Sequence, residues 1–219
     1  MAKALGIKNT DVVCHVTLLG GGSNVLVSDD GVNAVVVSLR SACGGVTFEG
    51  NTVTVGAAVM LPALARAAAE RGLSGLEFAV GIPGSVGGAL QSNAGIGDGR
   101  CIGNLVESVE VFGGRGFMTL PRAELRFDYR RSSLRGSGVM VVAATLGLAP
   151  RPAADIDAEM RRLLEARAKS QPTAQPNAGS IFRNPPGDFA GRLIEAAGCK
   201  GLAVRSEEHT SELQSRETI

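Results

Sequence analysis

Residues 18–27, LLGGGSNVLV, constrain the fold more than any other stretch. Three consecutive glycines have the most backbone freedom to lose on folding, so neither a helix nor a strand is expected to run through them. The N–H groups of Gly20, Gly21 and Gly22 can converge in one concave turn. Ser23 and Asn24 would add side-chain donors, and such a nest holds an anion such as phosphate. A plain turn between two strands fits the same residues. No lysine follows as in G-x-x-x-x-G-K-[ST], and VLV reads as strand rather than as the helix after G-x-G-x-x-G. A P-loop triphosphatase and a Rossmann dehydrogenase therefore lose ground. A second glycine-rich stretch, residues 81–95, reads as a loop that sets Gly81, Gly84, Gly87, Gly88 and Gly95 around Pro83, Ser85 and Asn93. Its fixed-φ proline and apolar Ile82, Val86, Ala89 and Leu90 describe an anchored loop rather than a floppy one. Two such loops suit a long ligand with a diphosphate in its middle.

Composition narrows the classes further. Lys and Arg number 22 against 21 Asp and Glu, so there is no electrostatic footprint for nucleic acid. Tryptophan is absent and Tyr129 is the single tyrosine, which argues against base stacking. Cys14, Cys43, Cys101 and Cys199 form no C-x-x-C pair, and His15 and His209 are the only histidines. No metal site is expected, and the cysteines read as buried small hydrophobes in a reducing compartment. No run approaches the ~18 apolar residues of a membrane span, and the first ten residues lack the apolar centre of a signal peptide. The expectation is a cytoplasmic protein with no membrane contact.

Short β-branched runs predict strands at 12–19, 25–27, 35–38, 46–48 and 52–55. Leu61, Leu64, Ala65, Ala68 and Ala69 share one helical face, with Gly72 closing that helix. Strands return at 106–112 and 139–146. The proline-rich residues 148–155 mark a boundary. A helix follows with Ile156, Met160, Leu163 and Leu164 at helical spacing and Asp155 as its cap. A short strand at 179–182 and a helix at 190–197, capped by Asp188 and ended by Gly198, complete an α+β chain. Residues 206–219 show no apolar period and resemble the in-frame translation of a sequencing-library adapter. They are set apart as a non-native tail, His209 included.

LGGGSNVLVSDDGV, GLSGLEFAVGIPGSVGGALQSNAG, FDYRRS and NAGSIFRNPPGDFAGRLIEAAGCKGL, in that order, resemble the UDP-N-acetylenolpyruvoylglucosamine reductase family. The resemblance implies an FAD-binding domain of the vanillyl-alcohol-oxidase type over residues 1–150. A partial α+β substrate-binding domain would follow over 151–205. It implies NADPH-dependent reduction of UDP-N-acetylglucosamine enolpyruvate to UDP-N-acetylmuramate for bacterial peptidoglycan. Gly20, Gly21, Gly22, Ser23 and Asn24 would cradle the FAD pyrophosphate. Pro83, Gly84, Ser85 and Gly88 would line the flavin. Arg130 would stabilise negative charge on the substrate carboxylate, and Ser180 would donate a proton. Tyr129 and Asn184 would contact substrate, with Arg183 an outside candidate. Read alone, each of these polar residues fits a strand end, a turn or a solvated surface.

The family's N-terminal strands and its C-terminal catalytic glutamate find no match here. The chain reads as truncated at both ends and, by itself, is expected to be inactive. No obligate protein partner is evident. A non-catalytic flavin- or nucleotide-sugar-binding fragment is the competing reading. A histidine-linked FAD oxidase is disfavoured, because His15 lies in no matching attachment motif. Gly21→Val is expected to weaken FAD binding, since a β-branched residue resists positive φ and would fill the phosphate's space.

Overall fold

The computed structural model describes residues 15–171 and 180–202. The chain opens with β1 (Val16–Leu19) and β2 (Val35–Ser38), followed by the hairpin β3 (Val46–Glu49) and β4 (Thr52–Gly56). Next come α1 (Leu61–Ala69), β5 (Leu73–Ser74), a 3-10 turn (Glu77–Gly81) and α2 (Val86–Ser92). Then follow β6 (Val106–Gly113), β7 (Gly116–Pro121), β8 (Phe127–Asp128), β9 (Arg131–Ser132), β10 (Met140–Gly147) and β11 (Ala149–Pro150). Two helices close the described chain, α3 (Ala153–Ser170) and α4 (Ala190–Ala196).

An antiparallel sheet in the order β3-β4-β10-β6-β7 carries the core. Its inward faces alternate as the strand period requires. Val53 and Val55 of β4 sit opposite Leu146 and Ala144 of β10, and Ala144 and Val141 sit opposite Val109 and Val111 of β6. All seven are buried. The register slips between Val141 and Ala143. The bulge aims the Val142 carbonyl at the Ala57 N–H, 2.8 Å away, and so fixes the chain leaving β4. Helix α1 lays Leu61, Leu64, Ala65, Ala68 and Ala69 onto this core, the five positions its period predicts. Gly72, at φ +66°, turns the chain away two residues beyond the helix cap.

β1 and β2 form a separate parallel ribbon, with Leu19 opposite Ser38. Parallel pairs are usually covered on both faces, yet Val16, Val35 and Val36 are exposed. Several expectations need correction. Residues 25–27 are not a strand: no partner pairs with them among the described residues, and Leu26 is fully exposed. Residues 180–182 likewise find no partner strand. The predicted strand at 12–19 starts at Val16; residues 12–14 and 179, like the tail 206–219, lie outside the described residues. Half of the 81–95 loop is the helix α2. Cys43, Cys101 and Cys199 are half-buried and unpaired among the described residues.

Helix α3 is capped by Pro152, whose extended backbone starts the helix three residues before Asp155. Its buried Ile156 and Met160 join the core beneath the main sheet. At α4 the Ala190 N–H goes to Asn184 Oδ1 at 3.0 Å, so Asn184 does the capping expected of Asp188. The Asp188 carboxylate takes the Phe189 N–H and pairs with Arg192 instead. That pairing holds it down at about 2. Gly198, at φ +70°, ends α4 as expected. Its N–H reaches Glu195 O and the next N–H reaches Ile194 O, the two bonds of a Schellman closure.

A charge relay ties the 97–101 loop to α3: Asp98 pairs with Arg100, Arg100 with Glu159, and Glu159 with Arg162. The Arg162 and then the Arg100 guanidinium hold the Glu159 carboxyl down to about 2, from an ordinary 4.5. A carboxyl depressed on folding adds stability above its unfolded pKa and loses it as pH falls toward the folded one. Wild-type melting temperature should therefore drop more between pH 5 and pH 2 than that of Glu159→Gln. The difference should be worth about 1 kcal/mol or less, because the pairs are largely solvated. Parallel melting curves for the two proteins would refute the relay.

Candidate cofactor and substrate site

The two glycine stretches, some sixty residues apart in sequence, meet. Ser23 Oγ donates to the Pro83 carbonyl at 3.1 Å. A Cβ on Gly20 would stand 2.6 Å from Ser85 Oγ, and one on Gly84, at φ +126°, would stand 2.9 Å from Ser23 Oγ. Those two glycines clear space for each other's loop. Gly22 takes the positive φ, +75°, and faces open space. Gly21 is not among the positive-φ residues, which corrects half of the reason given for Gly21→Val. Among the described residues, the N–H groups of Gly21, Gly22, Ser23 and Asn24 donate to no protein acceptor.

Beside this junction lies a cleft of about 330 Å³, at the small end of ligand sites. Gly20, Gly21, Ser85 and Gly88 line it, with Arg40 and Met60 among the additional residues. Gly22, Ser23, Asn24, Pro83 and Gly84 do not line it. Ser85 caps α2 by accepting the Gly88 N–H at 3.4 Å. A Cβ on Gly87 would meet the Ala57 Cβ at 2.9 Å, so this glycine brings α2 hard against the end of β4. At Gly21 a side chain would meet the Met60 methyl at 3.3 Å. Gly21→Val is expected to narrow the cleft without unfolding the chain, and so to lower flavin retention about tenfold or more, the loss of ~1.4 kcal/mol. Flavin occupancy measured beside thermal unfolding checks this; unchanged occupancy would count against the cradle.

Tyr129 and Arg130 form the two-residue tip of the β8–β9 hairpin. Arg130 is held at φ +55°, a conformation rare for a residue with a side chain. Asn93 braces it. Itself left-handed at φ +48° and buried, Asn93 donates to the Asp128 carbonyl at 2.8 Å and accepts the Gly103 N–H at 3.0 Å. Ser132 Oγ donates to the Gln91 carbonyl at 3.1 Å, docking the hairpin on α2. Gln91 also lines the cleft. The Arg130 guanidinium lies 5.7 Å from the Tyr129 ring centre. From the far end of the chain, Arg183 donates to the Arg130 carbonyl at 3.4 Å. Ser180, three residues before it, is exposed. Asn93, Gly103, Gln91, Met60 and Arg40 had no assigned role in the sequence. Asn93 alone carried a signal, an Asn-Ala-Gly end to a glycine-rich stretch.

Residues 10–119 match the model of an FAD-binding domain. Residues 171–216 match that of the UDP-N-acetylenolpyruvoylglucosamine reductase C-terminal domain, which runs into the segment set apart as a tail. The crystal structure of UDP-N-acetylenolpyruvylglucosamine reductase from Thermus caldophilus superposes with a TM-score of 0.75. It shares 41% identity across 88% of this chain and 70% of that one. The chain belongs to the UDP-N-acetylenolpyruvoylglucosamine reductase family.

Other members of the family agree. The Symbiobacterium thermophilum reductase 2 is 42% identical over 90% of this chain, and the Moorella thermoacetica reductase 47% over 87%. The chain spans 65% and 63% of their lengths. The fold class read from the motifs therefore holds: an FAD-binding domain of the vanillyl-alcohol-oxidase type, then the family's C-terminal domain. The residues present fit that cofactor. Gly20, Gly21, Gly87 and Gly88 wall the cleft, and the uncommitted N–H of Gly21 opens on it with those of residues 22–24 following in the same turn, as a phosphate-bearing ligand needs. Among the described residues no helix is long and apolar enough to cross a membrane.

Proposed function

We propose that the chain carries the site of an FAD-dependent reductase that converts UDP-N-acetylglucosamine enolpyruvate to UDP-N-acetylmuramate with NADPH, in the cytoplasm, for peptidoglycan. One observation carries this reading. Helix α2 joins the glycine-walled cleft, through Ser85 and Gly88, to the Arg130 hairpin, through the Gln91 carbonyl and Ser132. The hairpin that carries Arg130 is thus docked on the same helix that walls the cleft.

Residues 20–24 would hold the pyrophosphate with backbone donors, and Pro83, Gly84, Ser85 and Gly88 would flank the ring. When bound, the flavin supplies hydride transfer from NADPH to the enolpyruvyl double bond. Hydride addition beside a carboxylate builds negative charge there. Arg130, fixed by its braced turn, would meet that charge without reorganising. The Ser180 hydroxyl would hold the proton for the neighbouring carbon. A serine is a weak acid, but a strongly basic carbon at short range accepts from it. Arg183 would keep the Ser180 segment on the Arg130 turn. Asn184 caps α4 with its oxygen, and its amide N–H groups, like Tyr129, would contact substrate. The division at 150 belongs to the same proposal. Across that division Ile156 and Met160 pack α3 back into the main core.

The absorption spectrum of the purified protein tests the reading. A flavin band that NADPH bleaches supports it. A colourless protein that still binds a UDP-sugar supports the non-catalytic fragment instead.

A further inference from the structure

Among the residues lining the cleft, one charged side chain has no role in the reading above. We propose that Arg40 is the counter-charge for the phosphates of the flavin cofactor and selects its nucleotide form over the bare flavin. The proposal rests on the flavin reading.

The placement follows from strand direction. β1 and β2 run parallel with Leu19 opposite Ser38, so their carboxyl ends open at the same edge. Two residues beyond each end, Gly21 and Arg40 emerge side by side, and both line the cleft. Ligands of parallel strands collect at that edge. Ser38 Oγ accepts the Arg40 N–H at 3.5 Å and so turns the chain out of β2. Among the described residues the guanidinium donates to no acceptor and pairs with no carboxylate. Arg40 is the one charged residue of the lining, among Met60, Gln91, Val141 and other uncharged groups. Backbone N–H groups contribute partial charges only, whereas a diphosphate carries formal charge. A guanidinium fork supplies the missing cation and binds phosphate oxygens bidentately. Riboflavin has the same ring and no phosphate, so it separates the two parts of the site.

The test uses the 219-residue chain and compares FAD with riboflavin by quenching of flavin fluorescence, for wild type, Arg40→Gln and Arg40→Lys. The Gln variant should bind FAD about tenfold to hundredfold more weakly, with riboflavin affinity unchanged, since only charge-assisted bonds to phosphate are lost. The Lys variant should recover part of the FAD affinity. Added salt should weaken FAD binding to wild type more than to the Gln variant. Thermal unfolding without flavin should match across the three, because the side chain is exposed. Equal losses for FAD and riboflavin, or no loss of either, would overturn the assignment while leaving the flavin site in place. A wild-type chain that takes up neither would overturn the flavin reading, and Arg40's role with it.

Discussion

Ser180→Ala is expected to leave reduction of bound flavin by NADPH near the wild-type rate and to slow reoxidation by the enolpyruvyl substrate. Removal of a positioned general acid costs about 10²–10⁴-fold. The two half-reactions separate because the hydroxyl is asked for a proton only after hydride reaches the substrate. Ser180 is exposed, and the nearest tie to its segment is the Arg183 bond to the Arg130 carbonyl. Loss of the hydroxyl should therefore leave melting temperature and flavin occupancy unchanged. The measurement is stopped-flow absorbance of the flavin band in a protein spanning the full length of the relatives. Equal slowing of both half-reactions would make Ser180 a structural residue, or one that binds both ligands, and would remove it from the chemistry.

What the sequence made legible divides along a physical line. Helix α1 was readable because its signal is local: five apolar residues at helical spacing, all buried as expected. Gly198 was readable for the same reason, since a helix end that needs φ +70° selects glycine. Residues 25–27 misled because β-branched composition states a preference, while a strand requires a partner from elsewhere in the chain. Helix α2 was hidden by Gly87 and Gly88, which cost a helix about 1 kcal/mol each. Packing of Gly87 on Ala57 outweighs that penalty, and no local pattern announces it. Arg40 was invisible because nothing in the sequence says that β1 and β2 run parallel. Once they do, a residue nineteen positions from Gly21 becomes its neighbour. The glycine stretches gave the converse case. Their chemistry was legible, but the partition of labour was not: Gly20 and Gly84 each admit a serine of the other loop, and Gly20 and Gly21 border the cleft.

The brace behind Arg130 carries the second large expectation, on stability as well as chemistry. Gly103 lies in a 3-10 turn (Ile102–Asn104), where its N–H bonds Asn93 Oδ1. A Cβ there would stand 2.5 Å from the Phe127 ring, 2.6 Å from Phe127 Cβ and 2.7 Å from Asn93 Oδ1. No side-chain Cβ tolerates such distances, and two of the three obstacles cannot swing aside. Phe127 Cβ is fixed to the first residue of the hairpin, and the Asn93 carboxamide is pinned at both ends. Gly103→Ala must therefore push the hairpin outward or break the Asn93 bonds. Overpacking of this kind costs about 1–3 kcal/mol. Leaving the buried carboxamide unpaired would add a similar amount. For a chain of this size each kcal/mol lowers the melting temperature by about 2–4 °C, so the overpacking alone should cost roughly 2–12 °C, and up to about twice that where the carboxamide is also left unpaired. The hairpin holds Arg130 at φ +55°, and its release lets that residue relax to an ordinary backbone conformation. Flavin reoxidation by substrate should then fall while flavin binding, which depends on the other end of α2, persists. Calorimetry and flavin titration on the same preparation read both arms. A Gly103→Ala protein that melts with wild type would refute the close approach of Phe127. One that melts early but turns over normally would keep the packing and release Asn93 from any part in aiming Arg130.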